Sequence, residues 1–98
     1  MVTELAILTA LPGGADELGR AIAAGVPHLR RHPDCRSVSV SRCLEEPGRF
    51  TVSVDWTSVE AHEQGFRSSP LFERWIGSIA GLFDPATLDT RHYEPYPA

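Results

Sequence analysis

Along the chain, short apolar runs alternate with polar positions, and Gly and Pro separate them at Pro12-Gly13-Gly14, Pro27, Pro33-Asp34, Pro47-Gly48, Pro70 and Asp84-Pro85. Residues 3–11 predict a strand with Leu5, Ile7 and Leu11 on one face; Ala6, Leu8 and Ala10 are apolar too, so both faces should be covered. Residues 15–25 predict a helix, with Leu18, Ile22 and Gly25 on one side and Pro27 ending it. Residues 36–44 and 49–56 are two alternating runs and predict a hairpin through Glu45-Glu46-Pro47-Gly48. With a loop of two or four residues, odd positions of its first strand face even positions of its second. Ser37, Ser39, Ser41 and Cys43 are then expected beside Phe50, Val52, Val54 and Trp56, with Val38, Val40, Arg42 and Leu44 on the opposite face.

Thr57-Ser58-Val59-Glu60 matches a capping box and predicts a short helix. Ser69-Pro70 is a second helix start, followed by an apolar face of Leu71, Phe72, Trp75, Ile76, Ile79 and Leu82, with Asp84-Pro85 as its stop. Residues 87–94 predict a last strand, Leu88, Thr90 and His92 alternating with Asp89, Arg91 and Tyr93. The order strand, helix, strand, strand, helix pair, strand is that of an α+β, ferredoxin-like antiparallel sheet with its helices on one face. The other face, expected to hold Val38, Val40 and Leu44, needs a cover, and a second copy stacked sheet on sheet supplies one.

At 98 residues the chain is one domain, 1–98, expected to bury only about two thirds of the surface its unfolded chain exposes, and a homodimer is a natural way to cover what remains. A net charge of -4, with no basic run longer than Arg30-Arg31, argues against nucleic acid. No stretch nears the roughly 20 apolar residues of a membrane span, and Met1-Val2-Thr3-Glu4 lacks a secretory signal's positive region, so a cytoplasmic protein is expected. Cys35 and Cys43, on one extended strand at about 3.3 Å per residue, stand roughly 26 Å apart, too far for a disulfide.

His28 and His32 are four apart, but Pro27 and Pro33 bracket them and no third ligand is near, which predicts a surface turn and no metal. No phosphate-binding glycine loop follows a strand and no nucleophile elbow is present, so no cofactor is expected. Small serines opposite large side chains leave room for a pocket roofed by helix. Its expected wall includes Ser39, Ser41, Val52 and Val54, and near the hairpin's end Trp56, His62, Phe66, Arg67, Trp75, His92 and Tyr93. Trp56 and His62 are the leading candidates for chemistry.

Asp55-Trp56-Thr57-Ser58-Val59-Glu60-Ala61, followed by Ser69-Pro70-Leu71-Phe72 and a helical tail, resembles the antibiotic biosynthesis monooxygenase family: a strand-end Trp, a Ser, an acidic-Ala pair and a later Ser-Pro-x-Phe. Arg31-His32-Pro33-Asp34-Cys35 is similar to the Pro-Gly-Cys turn before that family's second strand. The resemblance spans nearly the whole chain and implies a dimeric α+β barrel. It fixes activity poorly, because the fold hosts cofactor-free oxygenases of aromatic polyketides, haem-degrading enzymes, quinol oxygenases and proteins of no known reaction.

Departures from the pattern narrow the field. Family histidines nine or ten residues after the Trp, and inside Ser-Pro-x-Phe, are replaced here by Gly65 or Phe66 and by Leu71. The Asn, Trp and His of haem-degrading members fall nearest Ala6, Gly65 or Phe66, and Ile76, which argues against haem. The polyketide oxygenases' Asn and Tyr around the Trp correspond to Val52 and His62.

Two functions are then expected to compete. In one, the pocket binds a planar phenolic or polyketide-type aromatic, His62 takes its proton, Arg67 or Tyr93 holds the oxyanion, and the carbanion reacts with O2; a proton-transfer cyclase would use the same groups. In the other, the fold and pocket bind a small molecule without catalysis, as a carrier or accessory protein.

Overall fold

A computed structural model describes residues 1–98 as β1 (Val2–Thr9), α1 (Ala15–Arg30), β2 (Cys35–Arg42), β3 (Arg49–Trp56), a π-helical turn (Ala61–Phe66), α2 (Pro70–Ile79), a 3-10 turn (Pro85–Thr87) and β4 (Asp89–Tyr93). The four strands form one antiparallel sheet in the order β2-β3-β1-β4. Each helix lies in the crossover between two strands that have a third between them, so the expected ferredoxin-like α+β architecture is present.

Helix α1 runs past its expected end and keeps Pro27 inside it. A proline in a helix interior costs about 3 kcal/mol, but stopping at Gly25 would uncover Val26 and Leu29, each worth about 1.5–3 kcal/mol when buried. Both are buried, extending the face of Leu18, Ile22 and Gly25. Helix α2 ends earlier than expected, at Ile79, where Gly81 takes φ +78 and reverses the chain before Asp84-Pro85 is reached.

The hairpin register differs from the expected one. Val38 pairs with Val54, Val40 with Val52 and Arg42 with Phe50, so even positions share a face. Cys43 N–H donates to Arg49 O at 2.8 Å, which leaves a connection of five residues, 44–48, instead of two or four. An odd loop reverses the parity and exchanges the faces of one strand relative to the other. Val38, Val40, Phe50, Val52, Val54 and Trp56 therefore lie on the helix side, while Ser37, Ser39 and Ser41 join Thr51, Ser53 and Asp55 on the open side. Leu44 sits in the loop, 91% exposed. The open face is thus largely hydroxyl-bearing: Thr3 and Ser37 both donate to Asp55, at 2.6 and 2.7 Å, and hold its carboxyl below the usual range. Leu5 and Ile7 are the apolar residues at its centre.

The core lies between sheet and helices: Leu8 from β1, the α1 face, Phe50, Val52, Val54 and Trp56 from β3, then Phe66, Trp75 and Ile79. The two cysteines are free, as expected. Where α1 crosses α2, a Cβ on Gly25 would stand 2.8 Å from Trp75 Cε3 and 3.0 Å from Ser78 Cβ, so only glycine allows this approach. On Gly77 a Cβ would meet nothing within 4 Å. Urea unfolding should show Gly25→Ala destabilised by about 1–2 kcal/mol despite alanine's helix propensity, and Gly77→Ala stabilised by up to about 1 kcal/mol. Equal effects at both sites would contradict this packing.

Candidate functional site

Trp56 ends β3 on the helix side and is fully buried. Its indole N–H needs an acceptor and donates to Glu4 Oε1 at 2.9 Å, across the β1–β3 pair. Ser58, not Thr57, caps the next segment: its hydroxyl accepts from Ala61 N–H at 3.0 Å, while Thr57 donates to Asp34 at 3.1 Å. The chain then winds as a π turn, with Arg67 N–H donating to His62 O at 3.1 Å, five residues back. This turn lays His62 on the indole face, ring centroids 5.1 Å apart and 17° between planes, with Phe66 also 5.1 Å from Trp56.

His62 has both nitrogens engaged. Nε2 is 3.3 Å from Glu4 Oε1 and Nδ1 is 2.8 Å from His92 Nε2. Nδ1 and His92 Nε2 share one hydrogen in a hydrogen bond, while Nε2 stands in polar contact with Glu4. Burial first, and then the charge of a protonated His92, lower the His62 pKa to about 4, so the ring is neutral at pH 7. Burial raises the Glu4 pKa, an effect partly offset by the Trp56 hydrogen bond and by His92 and Arg67. The His62–Glu4 contact has the distance of an ion pair, yet burial drives both groups toward their uncharged forms; it is a close polar contact with a neutral imidazole. Toward solvent, Glu63 accepts from Arg67 at 2.9 Å and stands 3.9 Å from His92 Nε2.

Beside this network is a cavity of about 70 Å³ between α2 and the β1–β4 edge of the sheet. Glu4, Ala6 and Leu8 form its floor, and His62, Arg67, Phe72 and Trp75 its walls. Ile76 and Ile79 continue the α2 side, and Phe83, Leu88 and Thr90 close the β4 side. Arg67, Ile76, Leu88 and Thr90 are exposed and mark the mouth. The result is an apolar box with one polar wall, able to hold a small flat molecule against acid–base groups.

Of the residues expected at a pocket, His62, Arg67 and Trp75 line this one. Trp56 and Phe66 stand behind His62, and His92 bonds to it. Val52 and Val54 are buried in the core and do not reach the cavity. Ser39 and Ser41 lie on the opposite face of the sheet because of the five-residue loop, and Tyr93, paired with Thr3, lies there too, 51% exposed. Glu4 was missed: a strand apolar on both faces hides which face is inward, although a lone acid in register with Ala6 and Leu8 was a usable signal. Phe72, Ile76, Phe83, Leu88 and Thr90 were also not expected at a site.

Of the two residues of the expected surface turn, only His32 lies in the turn between α1 and β2, and both are half-buried. His28 lies in the last turn of α1 with its Nδ1 buried and unpartnered, and His32 packs edge-on against Trp56 and Phe66, centroids 5.8 Å away in each case. The nearest approach to a metal-binding set is His62, Glu63 and His92, whose donor atoms lie within 4.8 Å of one another. Two nitrogens on one tetrahedral ion stand about 3.3 Å apart; at 2.8 Å the two rings are closed on each other by a hydrogen bond.

Comparison with known proteins gives a consistent picture. The family model described as antibiotic biosynthesis monooxygenase matches residues 1–78. YczJ of Bacillus subtilis, an uncharacterized protein, is 29% identical over 85 residues, 87% of this chain and 90% of that one. A solved Bordetella bronchiseptica structure classed with the antibiotic biosynthesis monooxygenases has TM-score 0.89 and 28% identity, covering 98% of this chain and 97% of its own. SnoaB of Streptomyces nogalater, a cofactor-independent oxygenase, has TM-score 0.80 at 16% identity, covering 99% of this chain and 94% of its own, a likeness of fold.

The buried imidazole has a measurable consequence. Unfolded, His62 takes a proton near pH 6.5; folded, only near 4. Between those values the unfolded chain binds more protons, so this contribution falls as pH falls from 6.5 toward 4, by up to about 3 kcal/mol. Urea midpoints at pH 7, 5 and 4 should drop less steeply in His62→Gln than in the wild type. Parallel curves would mean that His62 titrates freely.

Proposed function

Because the chain belongs to the antibiotic biosynthesis monooxygenase family, we propose that it is a cofactor-independent oxygenase of a small planar phenolic molecule. The observation that carries this reading is the cavity itself: apolar walls, with Glu4 and His62 as its buried acid–base wall and Arg67 at its mouth. Direct reaction of an organic molecule with O2 needs its electron-rich anion, formed in a place that excludes water and supplies a proton acceptor. That SnoaB, a cofactor-independent oxygenase, shares this fold supports the assignment.

In this reading the phenol O–H loses its proton to the His62 centre, and Arg67 stabilises the oxyanion. The enolate's ring carbon passes an electron to O2; recombination forms a C–O bond and a hydroperoxide, which loses water as a ring C–H becomes C=O. The substrate supplies all the electrons: for a hydroquinone, one O2 is consumed, one oxygen enters the product and one leaves as water. The enclosed volume is below the roughly 150 Å³ of a benzene-binding cavity, so a ring must extend into the mouth between Ile76, Leu88 and Thr90. This favours one or two fused rings over a broad polycycle.

The protein works as a cytoplasmic homodimer in this proposal. No helix is long and apolar enough to cross a membrane. The open face of the sheet, with Leu5 and Ile7 at its centre, is the surface a second copy would cover, replacing the Val38, Val40 and Leu44 face expected from sequence.

With 1,4-naphthohydroquinone and ¹⁸O2, mass spectrometry should find one labelled atom in a hydroxyquinone product. His62→Ala should lower that rate by roughly 10²- to 10⁴-fold with the fold intact. An unchanged rate in the variant would remove His62 from the chemistry and favour a binding protein. Sedimentation at micromolar concentration should give twice the 10.7 kDa chain mass; a monomer would refute the stacked sheets.

A further inference from the structure

We propose that Glu4 is the group that meets the substrate's proton: its Oε2 accepts that proton while Trp56 and His62 hold Oε1. The inference rests on reading the cavity as a phenol-binding oxygenase site, and it moves the point of proton transfer from the imidazole to the carboxylate.

The reason lies in how the lone pairs are used. A group that accepts a proton needs a free lone pair within hydrogen-bond reach of the donor. On His62, Nδ1 is taken by the 2.8 Å hydrogen bond to His92 and Nε2 faces Glu4 Oε1 at 3.3 Å, while burial keeps the ring's proton affinity low. On Glu4, Oε1 takes both the indole N–H at 2.9 Å and the His62 contact. Oε2 has no hydrogen-bond partner in the protein, yet it is not among the sealed, unpartnered atoms. Glu4 is otherwise buried and lines the cavity, so the cavity is where Oε2 opens.

The surroundings suit the role. The groups that act on Glu4 are His62, Glu63 and Arg67 from the π turn and the residue after it, and His92 from β4; α2 offers only apolar side chains to the cavity. Burial raises the proton affinity of the carboxyl, which narrows its gap to a phenol. In the step itself the phenol O–H bond breaks, a bond to Oε2 forms, and the electron pair stays on the phenolate oxygen, near the Arg67 guanidinium on the cavity wall. No electron changes hands until O2 reacts. Trp56, donating to Oε1, and His62, 3.3 Å from the same oxygen, hold the carboxylate so that Oε2 is the oxygen presented.

The probe is 4-nitrophenol, a single ring whose phenolate absorbs visible light where the phenol does not. Bound to wild-type protein, the dye should ionise at a proton concentration at least about tenfold higher than the free dye. In Glu4→Gln, where Arg67 still faces the phenolate, the dye should bind within about threefold of wild-type affinity, while 1,4-naphthohydroquinone turnover should fall by roughly 10²- to 10⁴-fold. Glutamine keeps an acceptor oxygen for the Trp56 N–H and removes a carboxyl that burial already disfavours in its charged form, so its urea midpoint at pH 7 should not fall. Glu4→Asp keeps the carboxyl but withdraws it by one methylene; it should turn over 1,4-naphthohydroquinone more slowly than wild type, and it carries the test if the glutamine variant does not fold. Wild-type turnover in Glu4→Gln, lost instead in His62→Ala, would overturn the role of Glu4 and leave the oxygenase reading standing. Failure of wild-type protein to bind the dye would overturn both.

Discussion

An indole N–H cut off from water has to be given an acceptor, and at Trp56 that acceptor is the carboxyl of Glu4. Left unpaired, the buried N–H would cost about 1–3 kcal/mol, so the bond ties the end of β3 to the start of β1 where the two strands form the middle of the sheet. It also fixes the chemistry. A carboxyl held inside by a neutral donor keeps most of its desolvation cost, and the imidazole stacked on the same indole is forced neutral beside it. The site is thus a by-product of burying one large aromatic whole, with the polar partner placed where the cavity begins.

The π turn is the second constraint. A regular helix entering from Ser58 would give its amides to carbonyls four residues back; here Arg67 reaches five back, to His62 itself. The wider turn lets His62 and Phe66 both lie against Trp56, while Arg67 turns outward to Glu63 and the cavity mouth. The aromatic cluster continues through His32 on one side and Phe72 on the other. The acid–base pair is therefore set in a rigid stack, which favours fixed geometry over adaptable binding.

The two faces of the sheet divide the labour. Helices and core cover one, and the cavity opens at its β1–β4 side, where α2 is short and Gly81 turns the chain away. The other carries serines and threonines that bond among themselves through Asp55, around a small centre of Leu5 and Ile7. A face of this kind tolerates water better than the valine face expected from the hairpin pattern, so what would draw a second copy onto it is shape and a small apolar centre more than a large exposed patch.

Sequence by itself determined the element order, and with it the ferredoxin-like sheet, because periodicity and breakers are local properties of the chain. It also singled out Trp56 and His62 as neighbours, since a strand end and the helix start that follows it lie within a few residues. Tertiary structure decided the rest. Loop parity, which depends on where Cys43 and Arg49 close the hairpin, sent Ser39 and Ser41 to the far face and Val38 and Val40 inward. The extra turn of α1 through Pro27 was settled by the burial of Val26 and Leu29, not by propensity. Glu4 became the partner of Trp56 and His62 only when β1 paired with β3, bringing together residues 52 and 58 positions apart along the chain. Local pattern fixes which side chains alternate; it cannot say which of two apolar faces will be covered, because that is decided by packing between segments far apart in the chain.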